Sequence, residues 1–226
     1  MTAPNFLHLK FRSAIQNSAF TLIELLVVIS VIGIMAGLIL PAFNTIGQAR
    51  GVSSAAYQLA GAIELARSEA VTRRTYVWLG LLPQTNSGNV DLRVGMVYSK
   101  DGTTNTSTIN LQPLSRPLLL ERVGIVNPSS VNVGTNIGSP IIDWSAAATG
   151  LGNFTCGSVE FKSGKTITFS PTGEVGTNTS PTYTNAFNPR IGIGLRQMRG
   201  NTAATNNDIA IVIDGSVGIP TIYQKK

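Results

Sequence analysis

The stretch SAFTLIELLVVISVIGIMAGLILPAF, residues 18–43, limits what this chain can become more than any other. It holds one charged side chain, Glu24, and no other follows until Arg50. Between residues 25 and 40 the aliphatic sequence is interrupted only by Ser30, Gly33 and Gly37, all small and uncharged. A continuous helix over residues 20–41 would extend about 33 Å at about 1.5 Å per residue, enough to cross a hydrocarbon layer of about 30 Å. The β-branched residues are no obstacle, because a segment isolated in lipid must close its backbone hydrogen bonds within itself. An unpartnered carboxylate is costly in hydrocarbon. Glu24 therefore either stays near an aqueous surface or meets a cation.

The flanks orient the segment. His8, Lys10 and Arg12 precede it and no charge follows it before Arg50, so the positive-inside rule places the N-terminus in the cytoplasm and everything beyond Pro41 outside. Three readings compete on these facts. A secretory signal peptide has a shorter apolar core, carries no glutamate and ends at a small-residue cleavage site. A plain anchor explains length and orientation but leaves Glu24 and the polar lead-in without a purpose. An anchor that is also an assembly element explains both, because a neighbouring copy can bring a cation to the carboxylate.

The sequence AFTLIELLVVI, residues 19–29, followed by Pro41, resembles the type IV prepilin signature shared by pilins and by the pseudopilins of type II secretion. The resemblance implies that a prepilin peptidase cuts between Ala19 and Phe20 on the cytoplasmic side and that Phe20 is then N-methylated. The family usually carries glycine before the cut; this chain carries Ala19, which is also small. The resemblance further implies that Glu24, fifth in the mature chain, pairs with the amino terminus of an adjacent subunit during assembly. The partners it implies are other pilin or pseudopilin subunits, an inner-membrane assembly platform and secreted cargo. Pro41 cannot donate to the carbonyl four residues back and clashes with it, so a kink is expected there. Gly33 and Gly37 have the small-xxx-small spacing that lets helices approach, and glycine is also ordinarily tolerated in membrane helices.

Beyond Gly51 the pattern becomes amphipathic. Val52, Ala56, Leu59, Ile63, Ala66 and Ala70 form one stripe of a 3.6-residue period. Glu64 precedes Arg67 by three residues and Glu69 precedes Arg73 by four, the favourable acid-before-base order. The helix is expected to end near Arg74, where Tyr76, Val77, Trp78 and Leu79 begin a β-favouring cluster. Strands are predicted over residues 92–98, 117–123, 158–161, 165–169, 191–196, 209–213 and 218–223. Turns are predicted at Ser163-Gly164 and Asp214-Gly215, and loops over residues 83–90, 100–110, 128–140 and 172–188. The expected fold is α+β and pilin-like, a long N-terminal helix packed on an antiparallel β-sheet domain. Its parts are a leader over residues 1–19, a transmembrane half-helix over 20–43, an amphipathic half-helix over 44–75 and a β-rich domain over 76–226. IELARSEAVTRR (63–74), FSPTGE (169–174) and the closing Asp214-Gly215 strand pair resemble the H-type minor pseudopilins and related minor type IV pilins.

Composition narrows the chemistry. Some 43% of the 226 residues are hydrophobic and 12% charged, and the formal charge is +6. Without residues 1–19 the balance is 15 basic against 11 acidic side chains, which permits weak attraction to polyanions and demands none. The single cysteine, Cys156, excludes an intramolecular disulfide. The single histidine, His8, lies in the leader, so the soluble region can build no histidine relay. No P-loop, HExxH, GxSxG or EF-hand pattern occurs. Asp91, Asp101, Asp143, Asp208 and Asp214 are too scattered to specify a calcium site. The chain is expected to be neither an enzyme nor a holder of metal or cofactor. It is expected to sit in the bacterial inner membrane with a periplasmic C-terminal domain, serving type II secretion. The alternative is a minor pilin that binds DNA during uptake, for which Arg190, Arg196 and Arg199 could contact phosphates. No aromatic residues interleave with these arginines to stack bases.

Overall fold

A computed structural model of the chain describes residues 21–105, 107–131, 137, 141–144, 153–161, 166–177 and 190–224, with side chains described in all of these except 38–50 and 205–206. It divides into two compact units, residues 1–44 and 45–226. Helix α1 (Leu22–Arg73) contributes to both. Among the described residues no helix is long and apolar enough to cross a membrane. The apolar part of α1 with described side chains, residues 22–37, covers about 24 Å where about 30 Å is needed.

In the second unit the predicted stripe is the buried one. Val52, Ala56, Leu59, Ile63, Ala66 and Ala70 are fully buried, joined by Ala55 and Ala62. Alanines keep this face thin, so strands lie close to the helix, while Leu59 and Ile63 each contribute about 1.5–3 kcal/mol by leaving water. Of the two anticipated ion pairs, Glu69–Arg73 forms at 2.5 Å. Glu64–Arg67 does not, because the Arg67 Nε donates instead to the Val217 carbonyl. The helix closes in a Schellman arrangement: the Thr75 amide donates to the Ala70 carbonyl (3.1 Å) and the Arg74 amide to the Val71 carbonyl (3.3 Å). Arg74 takes the left-handed position with φ 52°, where glycine is preferred.

Strand β1 (Val77–Asn86) pairs with β2 (Asn89–Ser99) along its whole length. This corrects the loop expected over residues 83–90. Ser87 and Gly88 both have positive φ, 50° and 81°, which makes a two-residue turn whose twist suits a hairpin. Pro83 is accommodated because β9 (Thr166–Phe169) covers β1 only from Val77 to Gly80, so Pro83 has a neighbour on one side alone. The first sheet runs β10 (Val175–Gly176), β9, β1, β2, β3 (Leu111–Pro113), with β4 (Leu118–Leu120) also on β2.

The second sheet runs β13 (Pro220–Gln224), β12 (Thr202–Ile213), β11 (Arg190–Arg199), β5 (Val123–Val126). β6 (Ile141–Asp143) joins it parallel to β11. The expected single antiparallel sheet is thus two sheets, antiparallel apart from that pair. The segment predicted as one strand over 117–123 divides into β4 and β5, because Arg122 turns the chain with φ 56°. Asp214 and Gly215 do begin the connection from β12 to β13, but as a six-residue loop closed by the Gly218 amide on the Asp214 carbonyl (2.7 Å). Ser163-Gly164 lies outside the described residues. One core joins the helix stripe to Leu79, Leu92, Ile167, Phe169, Ile193, Leu195, Ile209 and Ile211.

A short hairpin, β7 (Phe154–Cys156) and β8 (Val159–Phe161), covers part of the first sheet's other face. Gly80 and Gly95 are direct cross-strand partners, and the stacked rings of Phe154 and Phe161 (4.8 Å between centroids) rest on them. A Cβ on Gly80 would lie 2.6 Å from the Phe154 ring, and one on Gly95 would overlap Phe161. Cys156 is buried in this cluster, its thiol donating to the Ser115 carbonyl at 3.2 Å, and burial pushes its pKa up. It is a packing residue, as its lack of a histidine partner implied.

Candidate assembly surface

The first turn of α1 is built around Thr21 and Glu24. The Glu24 amide donates to the Thr21 carbonyl (3.1 Å) and to Thr21 Oγ1 (3.3 Å), and the Leu25 amide also donates to the Thr21 carbonyl (3.2 Å). Thr21 is therefore the N-cap and Glu24 occupies N3, the Thr-x-x-Glu spacing of a capping box. The Thr-x-x-Glu spacing in the sequence already carries this local role beside the carboxylate's charge. Glu24 is exposed, and a negative side chain in a first turn complements the positive end of the helix dipole.

On both sides of Glu24 the helix presents exposed apolar side chains: Leu22 is 85% exposed, and even Val28 is 44% exposed. Ser30 does not break this surface, because its hydroxyl donates to the Leu26 carbonyl at 2.8 Å, satisfying itself within the helix. Around Gly33 and Gly37 an added Cβ would meet nothing within 4 Å, so both positions leave open space for another helix. Ala19 and Phe20 lie outside the described residues. The helix assignment continues through Pro41.

The three arginines of the nucleic-acid alternative are not brought together. Arg190 and Arg199 are exposed at opposite ends of β11, about 30 Å apart at about 3.3 Å per residue. Arg196 is bound in place: Nε and Nη2 donate to the two Asp208 carboxylate oxygens, each at 2.6 Å, and Nη2 also donates to the Ser130 carbonyl at 3.2 Å. Asp208 is its direct cross-strand neighbour and is buried. The Asp208 hydrogen bonds raise the guanidinium's pKa. This is a bidentate clamp between strands, with Nε and Nη2 already engaged.

The aspartates are likewise engaged locally. Asp91 accepts from the Arg122 amide at 2.8 Å, and Asp214 from the Ser216 amide and hydroxyl at 3.0 and 2.5 Å. Asp101 Oδ1 accepts from Ser99 Oγ (2.7 Å), from the Thr103 amide (2.9 Å) and hydroxyl (2.7 Å), and from Asn110 Nδ2 (2.7 Å). The Asn110 amide also donates to Ser99 Oγ and to the Asn105 carbonyl, both at 3.0 Å. Three oxygens, Ser99 Oγ, Asp101 Oδ1 and the Asn105 carbonyl, thus converge on Asn110 Nδ2 rather than on a cation. Among the described residues no three His, Cys, Asp or Glu side chains gather as a metal site.

The same network makes a prediction. The Ser99 hydroxyl, followed by the Thr103 amide and hydroxyl, holds the Asp101 carboxyl well below the usual carboxylate range. Its folded pKa lies below its unfolded one, so its contribution to stability is fully present above about pH 3.9 and is lost only as pH falls through the lower folded value. Carboxyl-carbon NMR should show Asp101 still ionised at pH 3. A midpoint near 3.9 would mean that the network does not hold in solution.

Two family models match this chain. That described as Type II transport protein GspH matches residues 55–201, from the amphipathic half of α1 to the turn after β11. That described as Prokaryotic N-terminal methylation motif matches residues 16–40, the segment around Thr21 and Glu24 and the apolar helix after them. Neither curated proteins nor solved structures give a match. Since the first model covers well over half of the chain and its helix-and-sheet region, the chain belongs to the GspH family of type II transport proteins, the minor pseudopilins.

Proposed function

We propose that this protein is a minor subunit that enters or caps a periplasmic pilus-like filament and so supports type II protein secretion. The observation that carries the reading is the apolar cylinder of residues 25–37, exposed all round directly after Glu24, on a chain of the GspH family. Such a surface is stable only in lipid or among other helices. In this reading residues 20–43 hold the protein in the inner membrane, with the domain from residue 76 onward periplasmic, until the assembly platform draws it into the filament. Residues 44–75 form the stalk on which the β-rich domain is carried.

Glu24 lies one helical turn from the amino terminus that cleavage between Ala19 and Phe20 would create, and it accepts the ammonium of a neighbouring subunit. Pro41 loosens the helix on entry. The protein acts by position, presenting its loops to neighbouring subunits and cargo, while a cytoplasmic ATPase supplies the energy. The DNA-uptake alternative requires Arg190, Arg196 and Arg199 to act as one phosphate-binding face, and the Arg196–Asp208 clamp weighs against it.

Processing tests the proposal. Protein isolated from its native host should have an intact mass that begins at Phe20 with one added methyl group. A mature chain that still begins at Met1, or one cut beyond Leu40, would defeat it.

A further inference from the structure

The corner where α1 ends gathers charge that the assembly role leaves unused. Arg73, Arg74, Lys100 and Asp101 line an open cavity of about 460 Å³ there, three cations against one carboxylate. A basic last turn complements the helix dipole, which accounts for Arg73. It does not account for Lys100, which follows β2 and reaches the same cavity from the sheet, nor for Arg74. Arg74 stands just past the helix at φ 52°, where glycine sits without strain. A charged side chain kept at a strained position is an outlier of the kind that accompanies function.

The cavity is rigid on one side and its donors are largely unused. The Tyr98 hydroxyl donates to Gln112 Oε1 (2.7 Å), which fixes the ring, and the Arg73 guanidinium lies over that ring at 4.7 Å. Arg73 Nε donates to Glu69 at 2.5 Å, and neither Nη has a partner among the described residues. Lys100 Nζ gives one of its three hydrogens to the Ile109 carbonyl (3.2 Å). Arg74 is exposed and forms no ion pair among the described residues. Asp101, the one anion of the lining, is turned to its own loop, where Oδ1 accepts from Ser99, Thr103 and Asn110. Beside the cavity the Ile109 side chain is 85% exposed and offers an aliphatic surface.

We infer that this corner binds a single Asp or Glu carboxylate of a different polypeptide, held by Arg73, Arg74 and Lys100 while an apolar neighbour of that carboxylate covers Ile109. Two planar guanidinium groups match the geometry of a carboxylate. A nucleic acid brings a phosphate at every nucleotide, and Glu69 and Asp101 beside the cations repel the ones that follow. The bare Ile109 suits a side chain and not a sugar–phosphate backbone. That the occupant is a different polypeptide rests on the assembly reading, in which a capping subunit meets unlike neighbours.

The test uses the full-length protein in membranes of its host, with Ile109 replaced by a photo-crosslinking benzoylphenylalanine. An adduct with one other polypeptide is expected, mapped by mass spectrometry to a segment in which an Asp or Glu lies within a few residues of the linked site. Arg74→Glu and Lys100→Glu should each cut the adduct about tenfold or more, as facing like charges do. Changing the mapped carboxylate to lysine should restore it in the Arg74→Glu chain. Arg74→Gly should raise the melting temperature by relieving the left-handed residue and still lose most of the adduct, an outcome that a purely structural Arg74 would not produce. No adduct, an adduct unchanged by these reversals, no rescue by the lysine, a linked segment without a carboxylate, or linkage only to a second copy, to nucleic acid or to lipid would each overturn the inference. Cleavage at Phe20 and filament entry are read in the same cells. If the adduct fails while processed protein still enters filaments, only this contact is wrong. If cleavage and entry fail as well, the assembly reading falls with it.

Discussion

Gly95→Val is expected to cost about 3 kcal/mol, at the upper end of overpacking penalties, and to lower the melting temperature of the soluble region by roughly 6–12 °C. The reason is geometric. Gly80 and Gly95 face each other across β1 and β2, and together they form a bare patch that the Phe154 and Phe161 rings fill. Even one carbon at Gly95 would overlap the Phe161 ring and reach within 3.2 Å of the Cys156 Cβ. The rings cannot retreat without uncovering Trp78 and Val97, which share their cluster. Gly51→Ala is the control: it lies within α1 where an added Cβ meets nothing within 4 Å, and should stabilise by about 0.5–1 kcal/mol through helix propensity. Urea or thermal unfolding of both variants decides the matter. A valine at position 95 that is neutral would show that the β7–β8 hairpin is not seated on the glycine pair.

Replacing Glu24 should leave membrane insertion intact and reduce filament incorporation roughly a hundredfold or more. An amino terminus that enters an apolar bundle without its carboxylate partner is uncompensated by about 3–5 kcal/mol. The bond that caps the helix runs from the backbone amide of residue 24 to Thr21 Oγ1 and survives either replacement, but alanine removes the side chain's bulk and polar end along with its charge. Glu24→Gln separates these, since glutamine keeps the size and the polar end and loses the charge. Membrane fractionation measures insertion, and crosslinking into pilus-like complexes measures assembly. Failure of both variants to assemble identifies the charge as the requirement. Assembly restored by glutamine would assign the requirement to the side chain's size and polarity and overturn the pairing account.

Much of the architecture was legible because its signals are local. Val52, Ala56, Leu59, Ile63, Ala66 and Ala70 announce their common face by spacing alone, and all are buried. The β-favouring residues from Tyr76 onward mark the end of α1 to within a residue, and β2, β8, β9, β11, β12 and β13 arise where apolar or β-branched residues cluster. The segment over 83–90 misled for an equally local reason. Proline, asparagine, serine and glycine read as a loop, but Pro83 is harmless where β9 no longer covers β1, and Ser87-Gly88 supplies a hairpin turn. The short strands β3, β6, β7 and β10 have two or three residues each, too few to show a period, and exist because a neighbouring strand offers hydrogen bonds.

The same division runs through the candidate site. Thr21, Glu24 and the apolar run are neighbours in sequence, so the place of the carboxylate at the start of a helix was readable from order and spacing, and the family from the resemblance those residues carry. The partners of the arginines were not. Arg67 stands three residues from Glu64 yet donates to Val217, 150 residues away, and Arg196 faces Asp208 only because β11 and β12 pair in that register. A charge in sequence advertises what it can bind but not what folding brings within reach. By itself the sequence determined the helix, its buried stripe and the Thr21–Glu24 motif at its start, since backbone periodicity and side-chain chemistry act within a few residues. Only the tertiary structure decided which charges were paired within the fold, as Arg196 is with Asp208, and which, like Glu64, form no ion pair among the described residues, because hydrogen bonds go to the groups that packing places a few ångströms away.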